Sequence, residues 1–540
     1  MIYNWVFKKD QFGKTSPTYV AYCRAFSLLD KIRELRPEKK TSLEGPENLL
    51  NIIETLAEGC IRRVNRLNDQ LLVIPKIAPQ QAKDIENTIR LKVFLLNKLH
   101  AFLRYVDATR LSRNPTGMIK PWELLIKKYT SKKFLRDLNV IIRPQWKYNY
   151  SYYNIITILK RIEGIIGDQE TKLKIEKIAP SCFPILSFAG LERDNVLQHI
   201  VLAHEIGHLI DEIEEITDNE KVDEDISDTF KRKEILNKFR EYLELSIKIM
   251  NEVDKLDNKE RDASDDLFRQ HKAISQAQNE ISSKISKWLE EITADIIAVR
   301  IIGPSFIFAL YQTQIAQVSK MGPVGDYPPP QIRVENCIKY WKEVVDKDYK
   351  FFDENETGDT NHIKIKICIK DYLDKIEKRE TELSVEPSPI DELEKQKHNL
   401  LTEILQQVVE KPLNSIKDLL EQKVPPFRLG SNLFNLIEEL KNRITPVALE
   451  KERENNGYSK CDIATILNAG WIFWLTHQLN VVDSEKQKGE GESTSLEKLR
   501  RLCYQPLVEI SNLILKGIEL TDFSAQFSDF KDKLESQKKK

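Results

Sequence analysis

Two histidines and a glutamate stand together in His204-Glu205-Ile206-Gly207-His208. Residues four apart on an α-helix share a face, so both imidazoles can reach one metal ion, and the glutamate beside the first is placed to work on a water held there. Histidine is scarce, eight in 540 residues. With glutamate at about a tenth of positions, chance supplies this pattern about once in a hundred such chains. A helix with two incidental histidines is the alternative, and a third ligand decides between them.

The candidate third ligand follows in Trp288-Leu-Glu-Glu-Ile-Thr-Ala-Asp-Ile-Ile-Ala-Val-Arg300. Glu291 and Asp295 share one helical face, and Ala294 and Ala298 are small enough to let another helix approach there. Glu291 can complete a site for Zn2+. Asp295 can accept the outer N–H of a ligating histidine, His204 in the first instance, fixing its tautomer and strengthening it as a ligand. The alternative of ordinary surface acids fits poorly with an otherwise apolar helix, because burying uncompensated carboxylates is expensive. His199 falls off the metal face and reads as structural.

These two motifs together resemble the gluzincin zinc metallopeptidases, in which HExxH is completed by a glutamate in an ExxxD motif on a second helix. The segment Asp326-Tyr-Pro-Pro-Pro-Gln-Ile-Arg-Val334 is similar to the His-Pro-Pro segment with a following arginine in the prenyl-protein and heat-shock membrane peptidase branch. Tyr327 stands where that branch commonly has histidine, and the membrane spans are missing, so the branch's substrate and membrane role are not implied. The metzincin continuation would need glycine at 211 and histidine at 214, where the chain has Asp211 and Glu214. The resemblance spans about Phe183 to Tyr340. It implies a gluzincin-like zincin core holding zinc through His204, His208 and Glu291, and hydrolysis of peptide bonds with Glu205 as general base. Tyr327, His271 and Arg333 are candidate donors to the developing oxyanion. Alternatively, Tyr327 and Arg333 belong to a proline-set turn capping the next helix, and His271 to a solvated charged one.

The surrounding elements read as mainly α with a small β element. Residues 1–137 form a helical region, with Leu49, Ile52, Ile53 and Leu56, then Ile85, Ile89, Val93, Leu96 and Leu99, at helical spacing. The peptidase core occupies 138–345. Within it, Leu138–Pro144 predicts a strand stopped by proline, and the aromatic run Trp146–Asn154 a loop packed through its rings or a stacking surface. Cys182–Phe188 predicts a second strand, whose edge could pair with an extended peptide. The stretch 217–285 is a helical insertion, forming a hairpin over the site or a coiled-coil contact to a partner. A connecting helix over 346–380 and a linker at Thr381–Pro389 lead to a helical C-terminal region, 390–540, containing a loop at Asp483–Ser495.

Charge narrows the partners. Lysine plus arginine number 83 against 84 acidic residues, a net charge of -1, so no global field draws the chain to nucleic acid or anionic lipid. No signal-like N-terminus is present, and Ile292–Leu310, the most apolar stretch, is interrupted by Asp295, Arg300 and Gly303-Pro304. Seven scattered cysteines without a CxxC pair fit a reducing, cytoplasmic location. The sequence thus predicts a peptidase acting on an intracellular protein or peptide, with helical flanks that could take a regulatory protein partner. A non-catalytic helical scaffold with a structural or silent zinc site is the alternative, against which Glu205 speaks, since a scaffold needs ligands but no general base.

Overall fold

The computed structural model describes residues 17–36, 44–73, 78–108, 122, 125, 126, 129, 140–145, 150–192, 195–256, 263–317, 327–345, 389–426, 433–446, 463–475 and 505–538. The connecting helix 346–380, the linker at 381–388, the loop Asp483–Ser495 and residues 146–149 of the aromatic run lie outside these. The chain forms two compact units, Met1–Ile119 with Ser131–Arg193, and Lys120–Thr130 with Asp194–Lys540. The described elements are mainly helical, with one three-stranded sheet.

In the first unit, α1 (Pro17–Leu35), α2 (Glu44–Val73) and α3 (Pro79–Asp107) pack against one another. Their three-and-four spacing puts Leu28, Ile32, Leu49, Ile52, Ile53, Leu56, Leu96 and Leu99 into one core. The sheet is built from β1 (Ile141–Gln145), β2 (Ser151–Asn154) and β3 (Pro184–Ala189), with α4 (Ile156–Ile166) and α5 (Gln169–Ile178) between β2 and β3. The strand order is β1-β3-β2, with β3 parallel to β1 and antiparallel to β2.

Three strand expectations change. The first strand runs through Pro144, which pairs in register with Phe188; as an edge strand, β1 has a side that needs no N–H from a proline. Residues 151–154 of the aromatic run form β2 and not a loop. Finally, β3 is the middle strand and both its edges are already paired, so it cannot take an extended peptide by edge pairing.

The second unit contains ten described helices of eight residues or more. They are α6 (Leu202–Glu214), α7 (Glu220–Phe230), α8 (Lys233–Leu256), α9 (Ala263–Ile302), α10 (Pro304–Gln317), α11 (Pro330–Tyr340), α12 (Pro389–Lys423), α13 (Leu433–Lys441), α14 (Ile463–Phe473) and α15 (Gln505–Lys538). Helices α7, α8 and α9 all pack on α12. The apolar stripe of the 217–285 insertion, buried at Ile235, Tyr242 and Ile249, is thus answered within the chain. Polar contacts join the same helices: Ser415 donates to Asp225 at 2.5 Å and Lys411 ion-pairs it at 2.7 Å.

Helix α9 runs 40 residues, and its last stretch, Ile292–Ile302, is buried throughout. It ends at Gly303, whose φ of 93° turns the chain into α10. Asn468 on α14 serves this junction from both sides, donating to the Ile302 carbonyl at 2.6 Å and accepting from the Ser305 amide at 3.2 Å. The C-terminal region therefore holds the end of the helix that carries Glu291. Among the described residues no helix is long and apolar enough to cross a membrane.

Candidate metal centre

Helix α6 carries His204, Glu205 and His208, and α9 carries Glu291 and Asp295. The two helices pack closely because position 207 is glycine: a Cβ there would lie 2.4 Å from the Ala294 carbonyl oxygen and 2.8 Å from its Cα. Such contacts involve backbone, so any side chain at 207 would force the helices apart. A glycine inside a helix costs about 1 kcal/mol relative to alanine, and here it sets the spacing of the donors.

His204, His208 and Glu291 bring their ligand atoms within 4.8 Å of one another. The two histidine Nε2 atoms are 3.1 Å apart. Glu291 Oε2 lies 3.2 Å from His204 Nε2, and Oε1 lies 3.5 Å from His208 Nε2. Zinc bonds of about 2.0–2.1 Å at tetrahedral angles would separate neighbouring ligand atoms by about 3.3 Å, so the donor set fits such an ion. These three residues could therefore bind a metal. His208 is the most open of them, with 21% of its side chain exposed against 8% for His204 and 12% for Glu291, so access is from its side.

Behind the donors, Asp295 accepts from His204 Nδ1 at 2.8 Å, which turns Nε2 toward the other ligands. Arg333 grips Asp295 with two hydrogen bonds, Nε to Oδ2 at 2.7 Å and Nη2 to Oδ1 at 2.8 Å. Its Nη1 also lies 3.3 Å from Glu291 Oε2. The arginine reaches this position from the first turn of α11, which Pro330 starts at the first helical position.

The charges are mutually compensating. Burial pulls the pKa of His204 down, but the Asp295 and Glu291 carboxylates together outweigh it and lift the imidazole above its ordinary value. Burial opposes ionisation of Asp295, yet Arg333 and His204 hold it below the usual carboxylate range. Glu291 is likewise held low, its burial overcome by His204 and by hydrogen bonds from both histidines. Glu205 goes the other way: burial raises it, against the smaller opposing pull of His204 and His208. Two carboxylates are thus kept ionised while a third, 6% exposed, is made more basic.

The structure therefore brings together His204, Glu205, His208, Glu291, Asp295 and Arg333, and leaves out two further candidates. His271 is on the exposed side of α9, 20 residues before Glu291 on the same helix; at 1.5 Å per residue that is about 30 Å along the axis, too far for an oxyanion donor. Tyr327 is at the surface, 62% exposed. Arg333 is in place, but its two best hydrogen bonds go to Asp295, which makes it a positioning group first. Helix α6 continues through Glu214 without bending back, and Asp211 instead accepts from the Thr217 amide and hydroxyl at 2.9 and 2.8 Å. His199 is buried, in a short 3-10 turn before α6. What sequence reasoning missed is Gly207, whose need for no side chain arises from a helix far along the chain. A second omission is Asn468, which no motif marks.

No family model, no curated protein and no solved structure matches this chain.

Proposed function

We propose that the chain is a zinc-dependent peptidase of gluzincin type, hydrolysing peptide bonds of a protein or peptide substrate. The observation that carries the reading is the convergence of His204, His208 and Glu291, with the buried Glu205 on the turn between the two histidines. A zinc ion bound there would supply Lewis acidity and a water ionisable near neutral pH. Glu205 is the group that takes a proton and returns it to the leaving amine. Asp295 orients His204, and Arg333 keeps Asp295 ionised and fixed.

A second reading, a structural or silent metal site in a helical scaffold, is favoured by one contact. Arg333 Nη1 sits 3.3 Å from Glu291 and so already neutralises part of the charge a cation would meet. The two readings separate in a proteome-wide comparison of cleavage products between the wild type and Glu205→Gln. The peptidase reading expects neo-termini that vanish in the variant while bound metal stays equal. Identical product profiles with metal retained would establish the scaffold reading.

A further inference from the structure

Two arginines of the first unit gather around one tyrosine ring. Arg143 on β1 lies with its guanidinium carbon 4.6 Å from the Tyr105 ring centroid. Arg104, at the end of α3, lies 5.0 Å from the same centroid and donates to the Tyr105 hydroxyl at 3.1 Å. Tyr105 is itself buried and stacks on Phe102 with ring centroids 6.0 Å apart. Among the described residues neither arginine has an acidic side chain within salt-bridge distance, and the buried Arg143 Nε has no hydrogen-bond partner.

This arrangement is costly unless something completes it. A guanidinium offers five N–H donors around its edge, and a ring beneath it satisfies the face but none of them. Burial lowers the pKa of Arg143, and the like charge of Arg104 adds to that. Arg62 and Arg333 are arranged otherwise: Arg62 meets Asp168 at 3.0 Å and Arg333 meets Asp295 at 2.7 Å.

The sheet supplies a further wall. Arg143, Ser187 and Ser151 are paired in register across the three strands and so share one face. Tyr153, two residues beyond Ser151, stands on that face and is 37% exposed. Burial, and then the nearby Tyr105, raise the pKa of its hydroxyl.

We infer that Arg104 and Arg143, set around Tyr105, form a binding site for an oxyanion, the carboxylate or phosphate group of a ligand whose adjoining part rests on Tyr153. Charge-assisted, forked hydrogen bonds from guanidinium to oxyanion are the contacts this geometry offers. The site belongs to the first unit and does not depend on the chemistry of the metal centre, which belongs to the second.

Thermal unfolding of the full chain in inorganic phosphate, in succinate and in chloride at matched ionic strength tests this. One or both oxyanions should raise Tm saturably while chloride does not, and whichever acts identifies the group. Arg143→Gln should abolish that rise and, by removing an unanswered charge, leave Tm in chloride unchanged or higher. Arg104→Gln, at an exposed position, should raise the half-saturating concentration about tenfold, and it decides the matter if Arg143→Gln does not fold. Absence of a saturable rise, or a rise that survives Arg104→Gln and Arg143→Gln, would overturn the inference. So would a loss of Tm in Arg143→Gln with the anion response intact, which would make the arginine a packing element only.

Discussion

Asp168 and Asp295 each bury their carboxylate completely, and each meets an arginine, Arg62 in the first unit and Arg333 in the second. Around Asp168 the contacts close on themselves. Its Oδ2 accepts from the Thr171 amide and hydroxyl at 3.1 and 2.7 Å and from Arg62 at 3.0 Å, while Arg66 lies 3.3 Å from Oδ1. All of these groups begin a helix or pin it to α2, and none points to a common empty place. Around Asp295 the contacts lead outward, through His204 Nδ1 at 2.8 Å to an Nε2 that faces His208 and Glu291. A buried aspartate held by arginine is therefore not by itself a mark of function. What marks it is a partner with a second ligand atom free to turn elsewhere.

Removing each carboxylate sharpens this contrast most. Asp295→Ala leaves Arg333 buried beside His204 and should cost about 3–5 kcal/mol of stability, together with metal binding. Asp168→Ala removes a helix cap and an ion pair whose arginine is partly in water, and should cost about 1–3 kcal/mol. Denaturant titration with metal analysis measures both, and retention of metal by Asp168→Ala is required. Equal metal loss in the two variants would erase the distinction between them.

Gly207→Ala should come next. Its Cβ meets the Ala294 backbone, and overpacking of this kind costs about 1–3 kcal/mol. The separation of α6 from α9 should also weaken metal retention, whereas Gly164→Ala, where a Cβ would meet nothing within 4 Å, should leave it unchanged.

The smallest effect is acid sensitivity at Asp168. Burial opposes its ionisation, but hydrogen bonds from Thr171 and Arg62 outweigh this and hold its pKa below the ordinary value. A depressed folded pKa contributes stability above the unfolded value of about 3.9, and that contribution is lost as pH falls through the folded one. The Tm of the wild type should therefore fall more steeply than that of Asp168→Asn below about pH 4. Parallel profiles would show that the carboxylate carries no linked stability.

The candidate site was legible to the extent that its chemistry is local. His204 and His208 announce themselves by residue type and spacing on one helix, and Glu291 with Asp295 by charge in an apolar one. Gly207 was not legible, because its role is set by Ala294, and helix pairing is a tertiary fact. Arg333 was visible as a candidate, but its grip on Asp295 spans 38 residues and needed the fold to be seen. His271 is exposed on a charged helical stretch, as one of its two readings had it, but that this stretch and the apolar one carrying Glu291 are one continuous helix was not legible, because the two halves of α9 differ in texture. The existence of two of the strands could be read from β-branched and aromatic runs, but not that β3 would lie between the others, because strand order is fixed by packing across the sheet.

Metal stoichiometry of the purified full chain, compared with its Glu291→Ala and Glu290→Ala variants, tests the central claim most directly. The two glutamates are neighbours on α9, yet only Glu291 lies with the histidine donors. One zinc per chain is predicted for the wild type and for Glu290→Ala, with affinity in Glu291→Ala reduced by more than about a hundredfold, the usual upper limit for losing an outer partner. No bound zinc in the wild type, or equal loss in the two variants, would contradict the account.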